Sequence, residues 1–333
     1  MEWFSPIFFN EFMGKPGWAW RLFASVVIAL LVLDLGVLHR KQREIQVGES
    51  LWLSTGYIAV ALLFGAWIWW SMGPDSGMAY LTGFIVEKSL ALDNVFVISL
   101  IFTYFAVPRA FQHRVLFWGI LGVIVLRAIM IGLGATLVSQ FSWVLYLFGA
   151  FLLATGVRML VVGDHAPKLG ENPVLRLMHR HMNVTDELHQ QRFFVRLPIA
   201  DTGRTALHAT PLFLALVLIE IADLVFAVDS IPAILAITTD PYLVYTSNIF
   251  AVLGLRALYF ALAAMVHRFK YLKIALALVL IFIGGKIFWN QMVGKLDPSI
   301  SLTVTLVLLA GGVVVSLLRT RGQTAPAAGP AAS

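Results

Sequence analysis

Cysteine is absent from the 333 residues, which excludes thiolate metal sites, disulfides and a cysteine nucleophile. Charge is scarce as well: 13% of residues are charged, against roughly 25% in ordinary globular domains. The length suits two soluble domains, but so little charge does not. No phosphate-cradling nucleotide motif is present, which leaves a gradient as the energy source for any transport. Histidine is missing from the apolar runs; five of the eight (His165, His179, His181, His189 and His208) cluster between positions 165 and 208. What fills the chain instead is apolar: 59% hydrophobic residues, in runs of about 20, the length that crosses ~30 Å of hydrocarbon. The net charge of +6 does not point to nucleic acid, because the basic residues sit in short clusters between those runs.

Hydropathy predicts about nine transmembrane helices: 20–38, 51–72, 78–106, 114–137, 141–162, 208–237, 244–266, 272–292 and 300–318. Gly73-Pro74-Asp75, Val107-Pro108, Asp240-Pro241 and Asp297-Pro298 separate them. The first run lacks a small-residue cleavage site and ends at His39-Arg40-Lys41, reading as an uncleaved span. With nine spans, Arg40, Lys41, Arg43, Arg109, the long 163–207 loop, Arg268, Lys270, Arg319 and Arg321 all fall on one side. Basic loops face the cytoplasm, so the expected orientation is N-out and C-in, in a bacterial plasma membrane. The long loop reads as a solvated segment with a short amphipathic interfacial helix near Val174–Met178. His179 and His181 are two residues apart and do not share a helix face. The Ala/Gly/Pro tail after Gly322 reads as disordered.

An internal repeat organises the spans. Setting Asp93-Asn94 over Asp229-Ser230 places Glu87 over Asp223, giving acid–x5–acid–(Asn/Ser) twice. Leu126-Arg127-Ala128 then matches Leu255-Arg256-Ala257, and Gly156-x-Arg158 matches Gly284-x-Lys286. Each unit has three spans, an odd number, so the second enters the membrane from the opposite side. The fold class is an all-α membrane protein with two inverted three-helix repeats. Its segments are 1–72 (two spans), 73–162 (first repeat), 163–207 (loop), 208–292 (second repeat) and 293–333 (last span and tail).

Five acids lie inside the repeats: Glu87 and Asp93, then Glu220, Asp223 and Asp229. A charge at the bilayer centre costs at least ~2.5–3.5 kcal/mol, so these must face the interior, pair with cations or carry protons. Glu220 and Asp223 share a helix face, whereas six residues turn an ideal helix by about 600° and set Glu87 and Asp93 roughly 120° apart. Asp223 and Asp229 stand in the same relation, so either they address different neighbours or the helix breaks, and Pro232 favours a break. Carboxylates with Asn94, Ser230 and a released carbonyl make a hard oxygen set, suited to Mn²⁺, Mg²⁺ or Ca²⁺. A structural explanation competes, since Arg127, Arg256, Lys88, Arg158 and Lys286 offer five partners for five acids. In a mixed arrangement Arg127 and Arg256 act as counter-ions when the site is empty. Asp34 reads as a helix-end residue close to Arg40 and Lys41.

The stretches Glu87-Lys-Ser-Leu-Ala-Leu-Asp-Asn-Val-Phe-Val-Ile, Asp223-Leu-Val-Phe-Ala-Val-Asp-Ser-Ile-Pro and Thr246-Ser-Asn-Ile-Phe-Ala-Val-Leu-Gly-Leu-Arg resemble the TerC/Alx family of integral membrane proteins. The resemblance runs from about residue 20 to 318. It implies a LysE-like transporter associated with Mn²⁺ export, alkaline pH response and, historically, tellurite resistance. Carried over, Glu87, Asp93, Glu220, Asp223 and Asp229 become metal-pathway acids, with Asn94 and Ser230 as auxiliary ligands. Mn²⁺ is then the transported substrate, and no cofactor is implied. Membrane lipid is the expected surrounding, and the oligomeric state stays open. The alternatives are an amino-acid or organic-cation exporter of the LysE type and a non-transporting scaffold or tellurite-resistance factor. An enzyme is not expected, because no nucleophile–base constellation lies within the spans.

Overall fold

The computed structural model describes residues 11–36, 47–161, 172–198, 205–262 and 271–320. The side chains of Asp34, Asp93 and Arg256 lie outside the described residues, as do Arg40, Lys41, Arg43, His165, Arg268, Lys270 and the tail from 321 onward. A two-strand turn (β1, Glu11–Phe12; β2, Lys15–Pro16) leads into α1 (Gly17–Gly36), α2 (Val47–Met72), α3 (Pro74–Tyr104), α4 (Arg109–Gln140) and α5 (Val144–Val161). After α6 (Pro173–His181), β3 (Phe194–Pro198) and β4 (Thr205–Ala209) come α7 (Pro211–Ile237), α8 (Pro241–Leu253), α9 (Leu255–Leu262), α10 (Leu272–Met292) and α11 (Pro298–Thr320).

The helices begin where the chain cannot waste a donor. Proline opens α3, α6, α7, α8 and α11, at a position whose N–H has no intrahelical partner anyway. Gly73 precedes α3 at φ 92°, a left-handed conformation that suits a residue without a Cβ. Asp240 caps α8 by accepting from Tyr242 N at 3.0 Å, and its other oxygen meets Lys15 Nζ at 2.9 Å. That ion pair ties the β1–β2 turn to the start of α8.

Among the described residues, seven helical stretches are long and apolar enough to cross a membrane: 48–72, 109–140, 144–161, 211–237, 241–260, 272–290 and 298–319. The other two predicted spans correspond to α1, with a shorter apolar stretch over Gly17–Leu33, and to the 31-residue α3, which Glu87, Lys88 and Asp93 interrupt. The outer surface carries large bare apolar side chains such as Trp70 (86% exposed), Val161 (77%) and Leu63 (70%). A water-soluble protein does not expose so much apolar surface; lipid is the solvent this surface fits. The chain is an all-α integral membrane protein.

Two expectations need correction. Pro232 does not break its helix: α7 runs unbroken from Pro211 to Ile237 with Pro232 buried inside it. Proline is tolerated in membrane helices where neighbours pack around the freed backbone, and Ala233, Ile234 and Leu235 are likewise buried. The interruption falls instead at Gly254, between α8 and α9, where the amide reaches back only to Val252 O. Lys88 Nζ donates to Ala251 O at 3.1 Å, the carbonyl that an unbroken helix would offer to the Leu255 amide. A Cβ on residue 254 would lie 2.6 Å from that Nζ, so the lysine head occupies the space a side chain would need.

The 163–207 segment is not merely a solvated loop. Asn172 caps α6 through its side chain, which accepts from Val174 N at 2.9 Å. Leu175 and Met178 on α6 are buried against Phe102, Val115, Leu116 and Leu214. The amphipathic helix is present, therefore, but docks on the bundle. β3 and β4 pair antiparallel from Phe194↔Ala209 to Pro198↔Thr205. Each strand is only five residues long and includes a polar residue, Arg196 or His208, which hides the pair from hydropathy averaging over a span-length window.

Two helix contacts of similar extent stand out at the centre: α3 packs on α8, and α4 packs on α7. α5 and α10 form the closest pair. A Cβ at Gly156 would sit 2.7 Å from Ile281 Cγ1 and 2.8 Å from Ala277 O, whereas one at Gly285 would meet open space. Gly156→Val should therefore lower stability by about 1–3 kcal/mol through overpacking, and Gly285→Ala should be tolerated. Thermal unfolding of the detergent-solubilised protein checks this, and equal melting temperatures for the two variants would contradict the packing.

Candidate functional site

Arg127, on α4, is 1% exposed and among the largest fully buried side chains. A guanidinium cannot shed its charge and is too costly to leave unpaired inside a membrane protein. It is held from three sides. Nε donates to Asp223 Oδ2 at 3.0 Å and Nη2 to Asp223 Oδ1 at 2.8 Å, a bidentate pair with α7. Nη1 bonds to Glu87 Oε1 of α3 and donates to Asn248 Oδ1 of α8 at 3.1 Å. Asn94, also on α3, donates from Nδ2 to Asp223 Oδ1 at 3.1 Å. Ser230 of α7 lies beside the Glu87 carboxyl.

More polar atoms converge here than one guanidinium satisfies. Glu87 Oε2, Asn94 Oδ1, Ser230 Oγ and Asn248 Nδ2 are buried with no well-formed hydrogen bond. Buried orphans of this kind are rare and call for an explanation. A cavity of about 30 Å³ reaches Asn94 and Asp223 between Gly119, Val123, Val252 and Leu255, with room for about two water molecules.

The remaining acids stand apart. Glu220, one turn before Asp223, lays its carboxylate on the bare face of α4 at Gly119 and Gly122, and any side chain at 122 would run into it. Its Oε2 is buried without a hydrogen bond. Asp229 faces α5, accepting from Thr155 Oγ1 at 3.3 Å with the Arg158 charge nearby. Asp223 and Asp229 thus address different neighbours on an unbroken helix, one of the two outcomes their spacing allows. Lys88 is engaged with the Ala251 carbonyl, and Lys286 is buried on α10. Of the basic residues offered as partners, Arg127 pairs with two acids, Glu87 and Asp223. Asp93 and Arg256 lie on α3 and α9 by their backbones, their side chains being outside the described residues. Among the described residues no three of His, Asp and Glu gather as a metal cluster.

Residues 72–324 match the integral membrane protein TerC family, a stretch that contains every residue of this cluster. The chain belongs to the TerC family. Its relatives include uncharacterized membrane proteins of Rickettsia bellii (48% identical, covering 90% of this chain and 97% of the relative) and Myxococcus xanthus (45%, covering 93% and 94%). An Escherichia coli relative, 47% identical over 80% of this chain and 84% of its own length, is provisionally named a membrane-bound redox modulator, Alx. No solved structure matches the chain.

Two members of this TerC site went unassigned by sequence reasoning. Asn248 sits in the Thr246-Ser-Asn stretch of an apolar span, where a polar run was the available signal. Gly122 has no signal in one sequence, since its role is to make room for Glu220 from another helix. Removing the guanidinium should be severe, because breaking a buried ion pair leaves uncompensated charge worth about 3–5 kcal/mol. Arg127→Met is expected to lose that much stability, and adding Glu87→Gln with Asp223→Asn to recover most of it. Denaturant or thermal unfolding in detergent measures both, and a triple variant no more stable than Arg127→Met would refute the charge argument.

Proposed function

We propose that this TerC protein is a secondary transporter that exports a divalent metal ion, with Mn²⁺ as its substrate, by alternating access between two inverted three-helix repeats. The observation that carries the reading is a cation site already filled by a tethered cation. Arg127 occupies a nest of oxygens contributed by both repeats, Glu87 from the first and Asp223 and Asn248 from the second. The leftover oxygens, Glu87 Oε2, Asn94 Oδ1 and Ser230 Oγ, are what an incoming hard cation would use once the guanidinium swings aside. Reciprocal packing of α3 on α8 and α4 on α7 supports the inverted repeat, because a two-fold relation exchanges those two contacts.

Asp229 and Glu220 then serve as stations along the path rather than ligands of the same ion, and Asp93 completes the first repeat's pair. Arg256 is the counterpart of Arg127. Buried carboxylates can carry protons, so protons are the proposed counter-ion. The orientation is N-out and C-in in the bacterial plasma membrane.

The cavity size favours an ion over an amino acid, since about 30 Å³ does not admit an organic cation without large rearrangement. A tellurite oxyanion would want donors where this site offers acceptors. The redox role in the Escherichia coli relative's name has no thiol to act through here, because the chain lacks cysteine. Metal supply to other proteins is the route by which it could influence redox state.

In a bacterial host without its own manganese exporters, the wild-type chain should lower intracellular manganese. Glu87→Gln and Asp223→Asn should each reduce efflux more than about tenfold, a change of ~1.4 kcal/mol or greater. Vesicle uptake should be competed by Mn²⁺ and not by lysine. Undiminished efflux in both variants, or competition by lysine alone, would overturn the assignment.

A further inference from the structure

The module between α6 and α7 contains a feature that transport does not use. A cavity of about 310 Å³ opens among His189, Gln190, Arg192, Val195, Arg196 and Leu197. Arg192 and Arg196, both with exposed side chains, are among its lining residues, and no acidic residue is among the described residues that line it. His189 Nε2 is buried without a hydrogen-bond partner, and so is Nε2 of the adjacent Gln191. Buried polar atoms are ordinarily satisfied, so a histidine nitrogen left over beside two arginines marks a place where an acceptor belongs.

The cavity wall is built, not draped. Arg192 N donates to His189 O at 3.1 Å, closing a turn in which Gln190 takes a left-handed φ of 52°. Thr210 anchors that turn from the other side: its hydroxyl donates to Arg192 O at 2.7 Å and its amide to Phe193 O at 2.9 Å. Val195 pairs with His208 in the β3–β4 ladder, Arg114 stacks over Phe193 at 5.2 Å, and Phe194 meets Phe213 at 4.4 Å. Arginine on this end is expected from membrane orientation alone. Arg176 and Arg180 of α6 are exposed like Arg192 and Arg196 and serve orientation equally, but they do not line the cavity.

We propose that this cavity binds a phosphate-bearing anion, gripped by Arg192 and Arg196 with His189 as a further donor. The planar guanidinium fork matches phosphate oxygens bidentately, and two forks with an imidazole fit a dianion or a phosphodiester. The ligand comes either from solution or from the headgroup of an anionic lipid, since both present the same oxygens. Occupancy bears directly on α7: Thr210, which clasps the cavity turn, immediately precedes Pro211, the first residue of the helix that carries Glu220, Asp223 and Asp229. The binding site itself stands whether or not the transport reading holds.

The test uses the full-length chain purified in neutral detergent. One arm titrates inorganic phosphate by equilibrium dialysis; the other scores retention of phosphatidylglycerol against phosphatidylcholine by native mass spectrometry. Arg192→Gln with Arg196→Gln should weaken binding at least about tenfold, a factor in line with the loss of charge-assisted hydrogen bonds. Arg176→Gln with Arg180→Gln removes the same charge from the exposed face of α6 and should leave binding unchanged. If the first double variant melts early, the two single variants and Arg192→Lys with Arg196→Lys replace it, the lysine pair retaining part of the affinity. Saturable phosphate binding identifies a soluble ligand, and retention of phosphatidylglycerol without phosphate binding identifies a headgroup; either supports the site. Binding of neither probe, or equal losses in the two glutamine double variants, would overturn it.

Discussion

A guanidinium sealed inside a lipid-embedded bundle must be neutralised by its immediate neighbours, and in this protein that requirement organises the core. Arg127 draws Glu87, Asp223 and Asn248 from three other helices, and Asp223 in turn takes Asn94. Helices in lipid gain little from apolar contact with one another, because lipid tails are as apolar as leucine. A shared charge cluster supplies the register that hydrophobic packing alone does not. The same cluster carries more acid than base, and in the proposed function that imbalance is what serves the transported ion. A structural pair would be matched; this one keeps oxygens in reserve.

Two further features adjoin this centre. The break at Gly254 separates α8, which bears Asn248, from α9, which bears Arg256, and Lys88 holds the freed carbonyl open. Lys88 follows Glu87 directly, so the helix face that grips Arg127 and the residue that clasps the break belong to one turn of α3. At the far end of α7, Thr210 connects the cluster's helix to the folded module of α6 and the β3–β4 hairpin. α7 is thereby anchored at both functional levels, in the membrane by Asp223 and outside it by Thr210.

Much of this was legible in the sequence. Apolar run lengths gave the helices, and Pro-led junctions such as Asp240-Pro241 gave their starts, because both effects are local. The six-residue spacing between Asp223 and Asp229 left two outcomes open, different neighbours or a broken helix, and the helix is unbroken. What stayed hidden depends on neighbours distant in the chain. Pro232 looked like a breaker because proline costs a helix its donor, yet surrounding helices absorb that cost; Gly254 carried no signal of its own, because it is Lys88 from another helix that holds the backbone there. Asn248 and Gly122 owe their roles to residues more than ninety positions away, Arg127 or Glu220. The hairpin strands at 194–198 and 205–209 escaped because each is only five residues long and interrupted by Arg196 or His208, so that no span-length average rises.

In the proposed function Arg127 and the substrate are alternative occupants of one oxygen nest. Anomalous scattering at the manganese edge, from crystals of the protein soaked with Mn²⁺, tests it most directly. Exchange of occupants predicts a manganese peak within coordination distance of Glu87 and Asp223, with the Arg127 guanidinium withdrawn from both carboxylates. A peak elsewhere in the bundle, with Arg127 still bonded to Glu87 and Asp223, would contradict it.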